Sequence, residues 1–176
     1  RSHKGYWSWG NVYARKGEVL ENAYGVINIY DAFVSDMDSL KSTGTIVDWQ
    51  PIVYDWRLDY EDLLSHGAEL TDGRIYYRGD LAATSSPYIV QELMRLASTS
   101  RTGKVAIVAH SNGGLLAKAL LTHPEYAEYV DKLIMVAVPQ LGTPKAIGGL
   151  LHGYDQALPL SLAPVFFTAA DARAIG

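Results

Sequence analysis

The residues best suited to chemistry lie in one run, Val105-Ala-Ile-Val-Ala-His-Ser-Asn-Gly-Gly114. It opens on five apolar positions rich in β-branched side chains, a strand signal. Leu115, Leu116, Ala119 and Leu120 then follow at helical spacing. Ser111 stands where strand gives way to helix, the pattern of a nucleophile elbow with Ala109 in place of the first glycine of Gly-x-Ser-x-Gly. A strained turn there would lift the hydroxyl off the carboxyl edge of a sheet. Small residues two before and two after it, Ala109 and Gly113, would let strand and helix approach without a Cβ clash. The backbone N–H of Asn112, at the helix N-terminus, would stabilise a developing oxyanion. The chemistry implied is attack on an acyl carbonyl. The rival reading is a plain N-cap serine on a strand-to-helix crossover.

A serine hydroxyl is a poor nucleophile without a base to take its proton and a carboxylate to hold that base. No histidine fills the role cleanly. His110 directly precedes Ser111, so its side chain should point away, and it reads as a packing and hydrogen-bonding residue. His123 ends the helix after the elbow, where a positive charge is favourable. His3 and His66 sit in loops with no partner signal. His152 comes late enough to tempt assignment, but Asp155 and Asp171 follow it instead of preceding it, against the order serine, acid, histidine. Acid and base are therefore left unassigned.

Asp55 and Arg57, two apart at a strand end, read as a pair fixing the next loop, with a substrate-side ion pair as the rival. Asp72-Gly73 reads as a turn, and Arg78-Gly79-Asp80 has little specificity. No His/Asp/Glu cluster has metal-ligand spacing and no phosphate-binding Gly-x-x-x-x-Gly-Lys loop occurs, so neither metal nor cofactor is expected.

The elements that must hold Ser111 follow from the patterning. Tyr30, Phe33, Val34, Met37 and Leu40 mark one helix face that stops at Gly44. Ile46 to Trp56 reads as a strand, with Ile52, Val53 and Tyr54 buried and Pro51 an irregularity. Residues 57–86 read as loop. A helix is expected from Ser86 as N-cap and Pro87 as first residue, with Ile89, Val90, Leu93, Met94, Leu96 and Ala97 on its apolar face. Strands at 105–109, covered on both faces, and at 133–138 flank a helix over 112–122. Helices alternating with strands predict an α/β fold, a parallel sheet with right-handed crossovers. The aromatics of the first thirty residues read as core covering a sheet edge, with lipid contact as the rival. The glycine- and proline-rich stretch 140–176 reads as a lid-like segment within a single domain spanning 1–176. Its apolar clusters between Leu150 and Phe167 could line an acyl pocket.

Composition narrows the function class. With 48% hydrophobic and 19% charged residues in 176, the chain can bury a core and is no disordered tail. A net charge of −4, spread without runs, argues against a nucleic-acid partner. The longest apolar stretches fall short of a transmembrane segment. The absence of cysteine removes thiol catalysis and disulfide frameworks.

The run His110-Ser-Asn-Gly-Gly-Leu-Leu-Ala-Lys118 resembles the elbow of α/β-hydrolase lipases. Pro51-Ile-Val-Tyr-Asp-Trp-Arg57 is similar to the Tyr-Asp-Trp-Arg signature of the lecithin:cholesterol acyltransferase-like hydrolases. Val130–Met135 and Val138–Ile147 resemble that family's next strand and its Gly-Thr-Pro loop. Over residues 30–155 this resemblance implies hydrolysis or transfer of an ester through an acyl-enzyme on Ser111, with an ester or lipid substrate.

Such enzymes place acid and histidine after the serine, and each further strand–helix–strand unit needs about 30 residues or more. No His-Gly turn after an early strand supplies a first oxyanion loop. The expectation is a central fragment of a partial α/β-hydrolase fold, lacking parts of its parent chain and inactive in isolation. The alternative is a non-catalytic binding domain that retains the fold.

Overall fold

The computed structural model describes residues 14–16, 22–23, 27–28, 30–71, 73–77 and 87–144. The lid-like reading beyond residue 144, the first aromatics, His3, Asp72, Arg78-Gly79-Asp80, Ser86, His152, Asp155 and Asp171 lie outside them. The chain divides into two compact units, Arg1–Val136 and Ala137–Gly176.

Among the described residues the first unit begins with three two-residue strands, β1 (Ala14–Arg15), β2 (Asn22–Ala23) and β3 (Ile27–Asn28), the last two paired antiparallel. Helix α1 (Asp31–Ser42) follows where the spacing predicts it. Gly44, at φ 73°, ends it: the amides of Gly44 and Thr45 turn back to the carbonyls of Lys41 and Leu40.

The strand expected over Ile46–Trp56 does not form. Residues 48–55 form no regular element and belong to no sheet. Pro51 lacks an amide for a ladder, and Val53 gives its carbonyl to the Tyr77 hydroxyl at 3.1 Å. The burial expected of Ile52, Val53 and Tyr54 survives, because all three pack against the core.

The loop expected over 57–86 is partly regular. Asp59 caps α2 (Tyr60–Ser65) by accepting from the Glu61 amide at 2.9 Å. Leu63 and Leu64 of this helix are among the most buried side chains. Strands β4 (Ala68–Glu69) and β5 (Arg74–Tyr76) then make an antiparallel hairpin, and β1 pairs with the far edge of β5. This antiparallel sheet was not expected, and it is separate from the parallel pair that holds the Ser111 turn. Gly67 holds φ 129°, and a Cβ there would lie 3.0 Å from a Tyr77 ring carbon.

Helix α3 (Tyr88–Thr99) starts one residue later than expected, with Pro87 as its N-cap. Ile89, Val90, Leu93 and Ala97 are buried, while Met94 is exposed. Glu92 lies on the same helix, 4% exposed, and is paired to Lys16 at 2.6 Å and Arg95 at 2.9 Å. Arg95 in turn meets Asp48, which also meets Lys41. Burial opposes Glu92's charge, but hydrogen bonds from Lys16 and Arg95 outweigh it and leave its pKa lowered.

Strand β6 (Val105–His110), helix α4 (Asn112–Leu121), the short α5 (Pro124–Ala127) and strand β7 (Val130–Val136) complete the unit. β6 and β7 pair in parallel, Ile107 opposite Leu133 and His110 opposite Val136, as the alternation predicts. β7 begins three residues before the expected strand and stops before Ala137, which takes φ 51°. The covered faces expected of β6 are not met, since Val108 stays 45% exposed. The core sits where α2, β5, α3 and α4 meet, around Leu63, Leu64, Tyr77, Tyr88, Leu93 and Leu116. In the second unit, the amides of Gln140 and Gly142 return to the carbonyls of Val138 and Pro139.

Candidate active site

Ser111 joins β6 to α4 with φ 51° and ψ −125°. A non-glycine residue there costs about 1–3 kcal/mol and persists only where its surroundings fix it. Two backbone bonds do so. The Ser111 amide donates to the Val136 carbonyl at 2.9 Å, extending the parallel ladder by one residue, and the Gly114 amide donates to the Ser111 carbonyl at 3.0 Å. Although Ser111 stands at the N-cap position, its side chain makes no capping hydrogen bond. A plain N-cap serine takes extended angles and spends its oxygen on an N2 or N3 amide. Ser111 does neither.

Asn112 opens α4, so its amide has no acceptor within the helix and lies at the positive end of the dipole. Its side chain is held from both ends. The Tyr60 hydroxyl donates to Asn112 Oδ1 at 2.6 Å, and Asn112 Nδ2 donates to the Tyr54 hydroxyl at a longer 3.4 Å. Burial raises the pKa of both tyrosines, keeping each a neutral hydroxyl in the range where esters are assayed.

The loop that delivers them is pinned by Asp55, which takes Arg57 Nε and Nη2 at 2.7 Å each and the Arg57 amide at 3.1 Å. That geometry matches a loop-fixing pair. The close approach expected at Gly113 is loose: a Cβ there would meet the Tyr54 hydroxyl at 3.6 Å, an ordinary contact. Ala109, by contrast, is 6% exposed.

Among the described residues the histidines are engaged elsewhere. His110 Nδ1 shares a 2.6 Å hydrogen bond with the Tyr30 hydroxyl, and the two rings meet edge to face. His66 Nδ1 lies 2.9 Å from the Ser65 hydroxyl. His123 sits 3.1 Å from Glu61 and packs on Tyr126. Among the described residues no histidine or carboxylate bonds to the Ser111 hydroxyl, and no three His, Asp or Glu side chains could hold a metal ion. No described helix is long and apolar enough to cross a membrane.

A cleft of about 670 Å³ lies beside the turn, between α1, the 45–54 segment, α3, β6 and α4. Phe33, Met37, Ile52 and Leu93 make it largely apolar, and His110 and Gly113, near neighbours of Ser111 in the sequence, are among its lining residues.

Sequence reasoning missed Tyr30, Tyr54 and Tyr60 as neighbours of the turn. Tyr54 lies in the Tyr-Asp-Trp-Arg motif, but Tyr60 is 52 residues from Asn112 with no local signal to join them.

No curated protein and no solved structure matches the chain. The family model of the PGAP1-like alpha/beta domain does, over residues 66–157. That span takes in β5, α3, the Ser111 turn with its flanking strand and helix, and β7. The match covers more than half of the sequence, and the chain belongs to the PGAP1-like alpha/beta domain family, an α/β-hydrolase-like family.

Proposed function

We infer that Ser111 is the nucleophile of a serine ester hydrolase or acyltransferase that acts on carboxylic, lipid-type esters through an acyl-enzyme. One observation carries the reading: the Ser111 backbone is strained while its hydroxyl caps nothing. Strain of that kind has no structural return at a helix start, but it has one where an oxygen must meet a carbonyl carbon. Membership in an α/β-hydrolase-like family supports the reaction class. The apolar cleft beside His110 and Gly113 suits an acyl chain.

In the proposed sequence Ser111 Oγ adds to the ester carbonyl carbon as its proton passes to a base. The carbonyl oxygen takes up the displaced electron pair as an oxyanion, facing the Asn112 N–H. Collapse of this adduct breaks the ester C–O bond, and the leaving alkoxide takes a proton from the protonated base. Water, for a hydrolase, or an acceptor alcohol, for a transferase, then attacks the acyl-enzyme by the reverse path. The transferase branch rests on the likeness of Tyr54–Arg57 and Gly142–Pro144 to the acyltransferase-like hydrolases. Because no described base touches Ser111, this chain's own turnover is expected near background. The same observation favours the second reading, a binding domain on a hydrolase fold.

Prolonged exposure to a fluorophosphonate, with peptide mapping and a nitrophenyl ester assay alongside, separates them. The hydrolase reading expects slow, single-site incorporation at Ser111, none in Ser111→Ala, and ester turnover near background. No incorporation at Ser111 would leave the binding domain. Fast stoichiometric labelling would place a base within the chain, and His152 would be the first residue to change.

A further inference from the structure

Two backbone bonds fix the Ser111 turn, and the direction of the Asn112 amide next to it is held further by a side chain. That direction is set by ψ of Ser111 and φ of Asn112, the rotations on either side of the planar peptide bond. The Asn112 side chain hangs from the same Cα and is tied off the helix, to a tyrosine at the start of α2 and another in the segment before it. Asn112 is half-buried, and among the described residues its side-chain hydrogen bonds go to these two hydroxyls. The Asp55–Arg57 pair and the Asp59 cap hold the connecting backbone between Tyr54 and Tyr60.

We propose that Tyr60, assisted by Tyr54, is a positioning residue that acts through Asn112 to aim the Asn112 N–H at the oxyanion. This rests on reading Ser111 as the nucleophile. Neither tyrosine touches the reacting atoms. Their contribution is to remove a rotation that the oxyanion would otherwise have to freeze, so the gain shows when a tetrahedral oxygen is bound.

An alkylboronic acid tests this in the full 176-residue chain. The Ser111 oxygen bonds to the boron as its proton passes to the buffer, and the resulting tetrahedral, negatively charged boronate places a hydroxyl where the oxyanion would sit. Formation is an equilibrium, so it needs no catalytic base. Adduct affinity and the amide NMR resonance of Asn112 are followed in the wild type, Ser111→Ala, Tyr60→Phe and Asn112→Ala, with the melting temperature as the check on folding. The wild type should form a Ser111-dependent adduct and shift the Asn112 amide downfield. Tyr60→Phe should weaken the adduct about tenfold, the factor matching one neutral hydrogen bond, and reduce that shift. Asn112→Ala should weaken it equally, and the double variant no further.

Equal affinity and an unchanged Asn112 resonance in Tyr60→Phe would overturn the positioning role while leaving Ser111 as nucleophile. No Ser111-dependent adduct in the wild type would overturn both. If Tyr60→Phe does not fold, Asn112→Ala breaks the same link from its other end and is read in the same way.

Discussion

The Ser111 turn and the surroundings of Glu92 handle polar groups in opposite ways. Glu92 is a buried charge with two cationic partners, and the chain of pairs runs on through Arg95 to Asp48 and Lys41. Each charge there is matched within the fold. At Ser111 the backbone is strained and the hydroxyl is bonded to nothing described. The difference separates groups that stabilise the fold from a group the fold holds at a cost. Substitution should therefore move stability in opposite directions at the two places.

The largest loss should come from stripping Glu92 of both partners. Lys16→Met with Arg95→Met leaves a buried carboxylate unpaired and should lower unfolding free energy by about 3 kcal/mol, the low end for such sites because both cations are part-exposed. A urea titration reads this as a shifted midpoint. Gly67→Ala comes next, at roughly 2 kcal/mol, because alanine would be forced to φ 129° against the Tyr77 ring. Ser111→Gly should reverse the sign, raising stability by about 1 kcal/mol as the strain at φ 51° is released. A destabilised glycine variant would remove the contrast.

The smallest effect is one of pH. Lys41's hydrogen bond draws the Asp48 pKa down to about 2. A carboxylate whose folded pKa is depressed stabilises the fold above its ordinary value near 4 and loses that contribution as pH falls toward 2. Melting temperature should thus drop over that window in the wild type and less steeply in Asp48→Asn. Ser111→Gly should keep the wild-type slope, since no titrating group bonds there.

What the sequence revealed follows the same division. Helices α1 and α3 and the strained turn were legible because each is set by neighbours within a few residues: apolar spacing, or a serine between strand and helix. The β6–β7 pair joins residues 25 or more apart, but two β-branched runs on either side of one helix announce a parallel pair. The 46–56 strand was misread because its partner choice is long-range. Val53 gives its carbonyl to Tyr77, 24 residues on, and Tyr54 reaches Asn112. Helix α2 went unseen although Asp59 and Glu61 mark its start, because six residues are too few to display a period. The acid and base stay unassigned, since the order of residues along a chain does not say which carboxylate meets which histidine.

The central claim is that the strain at Ser111 serves a reactive oxygen. Its most direct test is a peptide map of the protein after fluorophosphonate exposure, run beside Ser111→Ala and Ser111→Gly. The account predicts one modified peptide, the one holding Ser111, in the wild type and none in either variant. Modification scattered over other serines, or an unmodified Ser111, would contradict it.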